Sequence, residues 1–159
     1  MFAFKVRLSL AKCQAMRKVS EILQKKGYST VTVSPNTPVI DALRVMDEKN
    51  IGSVVVMDEG NYAGILTERD YSRKVILKGK NSAETTVADI MSTDLPHLRP
   101  NDTIDNCMQL MSNKHIRYLP VFDNGNLAGI ISMSDVVNAT IANQKETISH
   151  LENYINSAV

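Results

Sequence analysis

The sequence predicts an α+β protein made of two copies of one β-α-β-β-α unit, and three features carry that expectation. First, sliding the chain by 65 residues lays NIGSVVVMDEGNYAGILTERD (50–70) over HIRYLPVFDNGNLAGIISMSD (115–135) without a gap. Across 30–71 against 95–136 there are 13 identities in 42 positions. Second, each copy shows the same change of hydrophobic period, a helical spacing followed by two short apolar runs around a turn. Third, 159 residues at 43% hydrophobic and 22% charged have a globular composition, yet one copy is too small to bury a sheet alone. The two sheets are therefore expected to pack face to face with pseudo-twofold symmetry. Two copies are too few for a solenoid.

In chain order, residues 1–18 form a basic N-terminal extension. Residues 1–29 hold seven basic groups against Glu21 alone, a net of +6, whereas the other 130 carry 11 basic and 16 acidic groups, a net of −5. The segment suits a docking element, or an upstream extension if Met16 of MRKVSEIL is the start. It has neither the serine-rich character of a transit peptide nor the apolar run of a signal peptide, so organellar targeting is a weak reading. VSEIL (19–23) then matches VADIM (87–91) at a spacing of 68, giving the first copy three extra residues.

The first unit, 19–80, has a strand near 30–33. Thr37 is the expected N-cap of the next helix, Pro38 its first residue, and Val39, Ala42, Leu43 and Met46 its apolar face. VVVMD and YAGILT flank Asp58-Glu59-Gly60-Asn61, which is hairpin turn chemistry. A second helix stops at Lys78-Gly79. The second unit, 81–138, repeats this plan with Asp102 as cap and Ile104, Cys107, Met108 and Met111 on one face. Cys107 replaces Ala42 and reads as a small core residue rather than a reactive thiol. Pro120 inside its run implies an edge strand or an unpaired amide there. Val137, Ile141, Ile148, Leu151 and Ile155 then mark a C-terminal amphipathic helix (139–159) that covers the pair or meets a partner subunit.

Several function classes are disfavoured. No stretch approaches the roughly 18–20 apolar residues of a membrane span. Cys13 and Cys107 have no C-x-x-C spacing, so neither a zinc site nor a disulfide scaffold is expected, and the cytoplasm is the default location. His97, His115 and His150 are dispersed and fit no catalytic signature, so no enzyme is expected. The acidic body and the lack of an aromatic platform argue against nucleic acid.

VADIM, the PNT and PND helix starts, IGSVVV and IRYLPV, DEG and DNG, and GILTERD and GIISMSD stand in the same order twice. In that order they resemble a tandem pair of CBS domains, a Bateman module, of the short stand-alone type over about residues 19–137. The resemblance implies a regulatory ligand-sensing module. It binds an adenosyl ligand (AMP, ADP, ATP, NAD(H) or S-adenosylmethionine) in clefts between the repeats, requires no metal, and signals conformationally to an unidentified effector protein. It also implies a homodimer through helices flanking the sheets. The ribose hydroxyls fall to Asp70 and Asp135, and the implied nucleotide-binding set is Thr67, Arg69, Asp70, Arg117, Ile130, Ser132, Ser134 and Asp135.

The chemistry of these residues fits the role. A carboxylate only accepts hydrogen bonds and can take both hydroxyls of a cis-diol. A helix start beside it offers amides and partial positive charge to a phosphate. Read alone, however, Thr67-x-x-Asp70 and Ser132-x-x-Asp135 are capping boxes. The copies also differ. Arg69, Arg73 and Lys74 follow the first motif, whereas Met133, Ser134, Asn138 and Ala139 follow the second, whose cation is instead Arg117, opposite Gly52. The alternatives are a scaffold with empty clefts and, by analogy with organellar relatives of the module, a redox-linked regulator of thioredoxin-type partners.

Overall fold

The first amide of each described helix bonds a backbone carbonyl from a distant segment, and Thr67, Thr103 and Ser132 add side-chain caps. The computed structural model describes residues 17–157, so expectations for residues 1–16, including Met16 as a start, lie outside the described residues. In chain order the elements are α1 (Val19–Lys26), β1 (Thr32–Val33), α2 (Val39–Lys49), β2 (Ser53–Asp58), β3 (Asn61–Thr67) and α3 (Glu68–Lys74). A 3-10 turn (Ile76–Lys78), α4 (Val87–Ile90), α5 (Ile104–Lys114), β4 (Tyr118–Asp123), β5 (Asn126–Ser132) and α6 (Met133–Ser157) follow. The protein is thus an α+β tandem repeat.

The described residues form two compact units that cut across the sequential repeats. One holds 17–27, 98–119 and 131–157, and the other 28–97 and 120–130. In the first, the Val19 and Ser20 amides of α1 donate to the carbonyls of Asp102 and Pro100, both at 2.9 Å, and Ile104 N–H returns a bond to Arg17. In the second, Val87 and Ala88 of α4 donate to Thr37 and Pro35, and Val39 N–H returns a bond to Thr85. The two sets recur at offsets of 65 and 68 residues, so the leading helix of each copy starts on backbone of the other copy.

These bonds correct two expected caps. Pro38, not Thr37, is the N-cap of α2 and makes no side-chain bond, because Thr85 and Ser82 carbonyls already take the Val39 and Ile40 amides. At α5 the cap is Thr103, whose hydroxyl accepts from Asn106 N–H at 3.1 Å. The Asp102 carboxylate instead accepts from the Arg99 amide in the preceding turn.

In the unit of 28–97, β1 runs parallel to β2 (Thr32 opposite Val55), and β3 returns antiparallel with an irregularity at Val56/Met57. Its core joins Val39, Ala42 and Met46 of α2 to Val54, Val56 and Leu66 of the sheet, with Val75, Val87 and Ile90 closing it. Both hairpin turns place two successive residues at positive φ: Glu59 and Gly60 at 46° and 84°, and Asn124 and Gly125 at 49° and 83°. That is the pattern of a type I′ turn, whose twist matches the strands.

β4 and β5 form a two-stranded ladder, leaving β4 with one neighbour, as Pro120 requires. The second copy departs from the expected plan, since no strand forms before α5. Leu98 makes a single bridge, and Pro96 and Pro100 on either side withhold amides. α6 also runs as one helix of 25 residues, joining the second motif helix to the C-terminal segment. Cys107 sits fully buried on α5, and burial, helped by Asp102 and Asp135, pushes its thiol up to about 12. It is a core residue, protonated at neutral pH.

Between β3 and α4, Ile65 and Ser92 exchange backbone bonds at 3.0 and 2.9 Å. A Cβ on Gly64 would lie 2.7 Å from the Ser92 carbonyl oxygen, so only glycine lets this segment cross the strand. Gly64→Ala is expected to lower stability by about 1–3 kcal/mol in urea denaturation. An unchanged midpoint would show that residues 91–92 yield freely.

Candidate functional site

The second motif is a cap that also holds a carboxylate at the start of a long helix. Ser132 N–H donates to Asp135 Oδ2 at 2.8 Å, and Asp135 N–H donates to Ser132 Oγ at 3.2 Å. Met133 N–H bonds the Arg117 carbonyl at 2.8 Å, which sets the Arg117 backbone beside the first turn of α6. Lys26, in the last turn of α1, donates to Asp135 Oδ2 at 2.7 Å. No hydrogen bond from the described residues reaches Oδ1. Burial works to raise the Asp135 pKa, but the Lys26 ammonium and the Ser132 amide and hydroxyl together outweigh it and hold the carboxyl below its ordinary value.

An open cavity of about 380 Å³ lies against this carboxylate. Its cations are Arg17, Lys25 and Lys26, set against Glu21 and Asp135. Arg17 is paired with Glu146 of α6, which fixes it at one side. Ile22, Ile104 and Ala139 give the cavity an apolar wall.

The first motif has the same cap but different surroundings. Thr67 N–H and Oγ1 donate to Asp70 Oδ2 at 3.1 and 2.7 Å, and Asp70 N–H returns a bond to Thr67 Oγ1. Asp70 Oδ1 accepts from Ser92 Oγ at 3.1 Å and pairs with Lys74 Nζ at 2.8 Å. Lys74 also donates to the Ile90 carbonyl at 2.6 Å. Among the described residues no cluster of three His, Cys, Asp or Glu could hold a metal ion, and no helix is long and apolar enough to cross a membrane.

Residues 17–76 and 87–142 each match the family model of the CBS domain. The chain belongs to the CBS-domain family. A mitochondrial CBS domain-containing protein of Arabidopsis thaliana, CBSX3, is 35% identical over 146 residues, covering 86% of this chain and 71% of the relative. A CBS-domain protein structure from Burkholderia ambifaria superposes with a TM-score of 0.77 at 42% identity, covering 80% of this chain and 96% of that one. The CBS domain pair of protein MJ0100, solved with 5′-methylthioadenosine and S-adenosyl-L-methionine, shares the fold with a TM-score of 0.69. It is 22% identical and covers 80% of this chain and 98% of its own. CBS pairs are generally regulatory ligand-binding modules, and this chain carries one such pair.

Within the CBS frame the structure brings Ser132 to Asp135 and Thr67 to Asp70. Arg117 reaches the Asp135 helix start through its backbone, and its residue is exposed. Ser134 is exposed on the first turn of α6, and Ile130 lies half-buried in β5 within the unit of 28–97. Arg69 and Arg73 are exposed, and Lys74 is the base of that helix that turns to Asp70.

Sequence reasoning missed Lys26, Arg17 and Ser92. The Asp70–Lys74 spacing of four was a usable signal. Lys26 and Asp135 stand 109 residues apart, and nothing local joins them.

Because the Asp135 pKa is depressed, its stabilising contribution is present above the unfolded value of about 3.9 and is lost as pH falls through the lower folded value. Asp135→Asn is expected to cost about 1 kcal/mol at pH 7, mostly through the cap. The difference from wild type should narrow below about pH 4 in urea titrations. A constant difference down to pH 2.5 would remove the carboxylate from this account.

Proposed function

We propose that this CBS pair is a regulatory sensor of an adenine nucleotide (AMP, ADP or ATP) or NAD(H), bound at the cavity beside Asp135, and that its response is read by an effector protein. The observation that carries the reading is the Asp135 arrangement. A capped carboxylate with one oxygen unbonded by the described residues faces a cavity with three cations. The Asp135 carboxylate suits a ribose diol. Arg17, Lys25, Lys26 and the start of α6 suit phosphate. The volume lies within the roughly 300–1,000 Å³ range of small-molecule sites. The adenosyl compounds bound in the MJ0100 structure make this ligand class the one to test. The role is regulatory rather than catalytic. Sensing requires that the ligand favour one of two states, and the effector then responds to that shift.

The partner proposal includes a second copy of the chain. On α6 the exposed Val137, Ile141, Ile148, Leu151 and Ile155 follow intervals of four, seven, three and four, a coiled-coil seam on one face. Ile148→Glu with Leu151→Glu should convert a dimer to a monomer in light scattering. A wild-type monomer at 100 µM protein would overturn this pairing.

Thermal melting with AMP, ADP, ATP, NAD, NADH and S-adenosylmethionine tests the ligand. A nucleotide at 100 times its Kd adds about 2.7 kcal/mol to the native state and raises Tm by several degrees. Asp135→Ala should erase that shift. No shift with any compound at millimolar concentration would favour the alternative of a scaffold with empty clefts.

A further inference from the structure

We propose that the Asp70 motif is closed by the chain's own side chains, with Ser92 hydrogen-bonded and Lys74 ion-paired to the oxygen that a ligand's hydroxyls would use. Each chain then binds one ligand, at Asp135. The inference rests on the ligand reading above and adds its stoichiometry and its choice between the two copies.

A carboxylate offers about four acceptor positions. Asp70 takes three hydrogen bonds, from the Thr67 amide and hydroxyl on Oδ2 and from the Ser92 hydroxyl on Oδ1, and the Lys74 ammonium pairs with Oδ1 at 2.8 Å. The side chain is 13% exposed. A cis-diol entering here would have to displace both Oδ1 partners. Neither yields easily. Ser92 is held by its two-way backbone bond to Ile65 over the missing side chain of Gly64. Lys74 is held by the Ile90 carbonyl as well as by Asp70, so displacing it leaves that carbonyl without the ammonium.

The second copy lacks both closures. The 65-residue offset puts Ala139 where the first copy has Lys74, and Ala139 lines the cavity. The 68-residue offset puts Gln24 where the first copy has Ser92. There α1 runs on for eight residues as a helix, whereas α4 stops after four and releases the chain to the Ile65 bridge. Lys26 reaches Asp135 from that longer helix and bonds only Oδ2 of it. A diol therefore meets an available oxygen at Asp135 and a carboxylate with both oxygens engaged at Asp70. The repeat uses one capping frame for a ligand site and once more for an internal lock.

Equilibrium dialysis of the full chain with radiolabelled ATP, and in parallel with AMP, measures the stoichiometry. One nucleotide per chain is expected in the wild type, none in Asp135→Ala, and two in Lys74→Ala/Ser92→Ala. Lys74→Met, which keeps the aliphatic stem, serves if the double variant does not fold. Two nucleotides per wild-type chain would overturn the closure while leaving the sensor reading in place, whereas binding that survives Asp135→Ala would overturn the closure and also move the ligand away from Asp135. Binding that appears only in the opened variants upholds the closure and removes Asp135 from the ligand. No binding in any variant sinks the sensor reading and this inference with it.

Discussion

Backbone bonds exchanged between the repeats are the constraint on which the rest of the structure depends. The first amides of any helix have no partner within it, and at α1, α2, α4 and α5 they are taken by carbonyls of the other copy. Val19 finds Asp102, Val87 finds Thr37, and Ile104 and Val39 return the bonds to Arg17 and Thr85. The exchange draws α1 to the start of α5 and into the unit that contains Asp135, and so carries Lys26 to that carboxylate. It likewise draws α4 to the first motif and carries Ser92 to Asp70. Neither copy on its own closes the starts of its two leading helices, which is a physical reason for the module to occur as a pair.

Much of the fold was legible because it is written in local rules. The type I′ turns are spelled by Glu59-Gly60 and Asn124-Gly125, the edge strand by Pro120, and the buried face of α5 by Ile104, Cys107 and Met111. The caps were misread by one residue because a backbone carbonyl from a distant segment does the work that Thr37 was expected to do. At α5 the hydroxyl of Thr103 outcompeted the neighbouring Asp102, whose carboxylate closes its own turn. The missing strand before α5 was foreseeable from Pro96 and Pro100, two residues that cannot donate to a ladder.

The candidate site was legible only in its repeated core. The Thr67/Asp70 and Ser132/Asp135 boxes are local and appear as the sequence implies. Their neighbours arrive from far along the chain, and no periodicity encodes them. This division has a physical cause. The box must be kept in both copies because it starts a helix, so it is insensitive to what surrounds it. The substitutions that separate the copies, Lys74 against Ala139 and Ser92 against Gln24, lie outside the box and are free to change its electrostatics.

The exchange also bears on the order in which the protein can be completed during synthesis. α1 leaves the ribosome before its partners, since its opening bond to Asp102 lies about 83 residues downstream and its Lys26 partner 109 residues downstream. Until then α1, at eight residues, is too short to persist alone in water. The unit of 28–97 can begin its own bonds between Thr37 and Val87 sooner, so folding is expected to run from the middle of the chain outward. A nascent chain halted before Asp102 would expose Val19, Ile22 and Leu23, all buried in the finished protein, and so present an apolar face to chaperones.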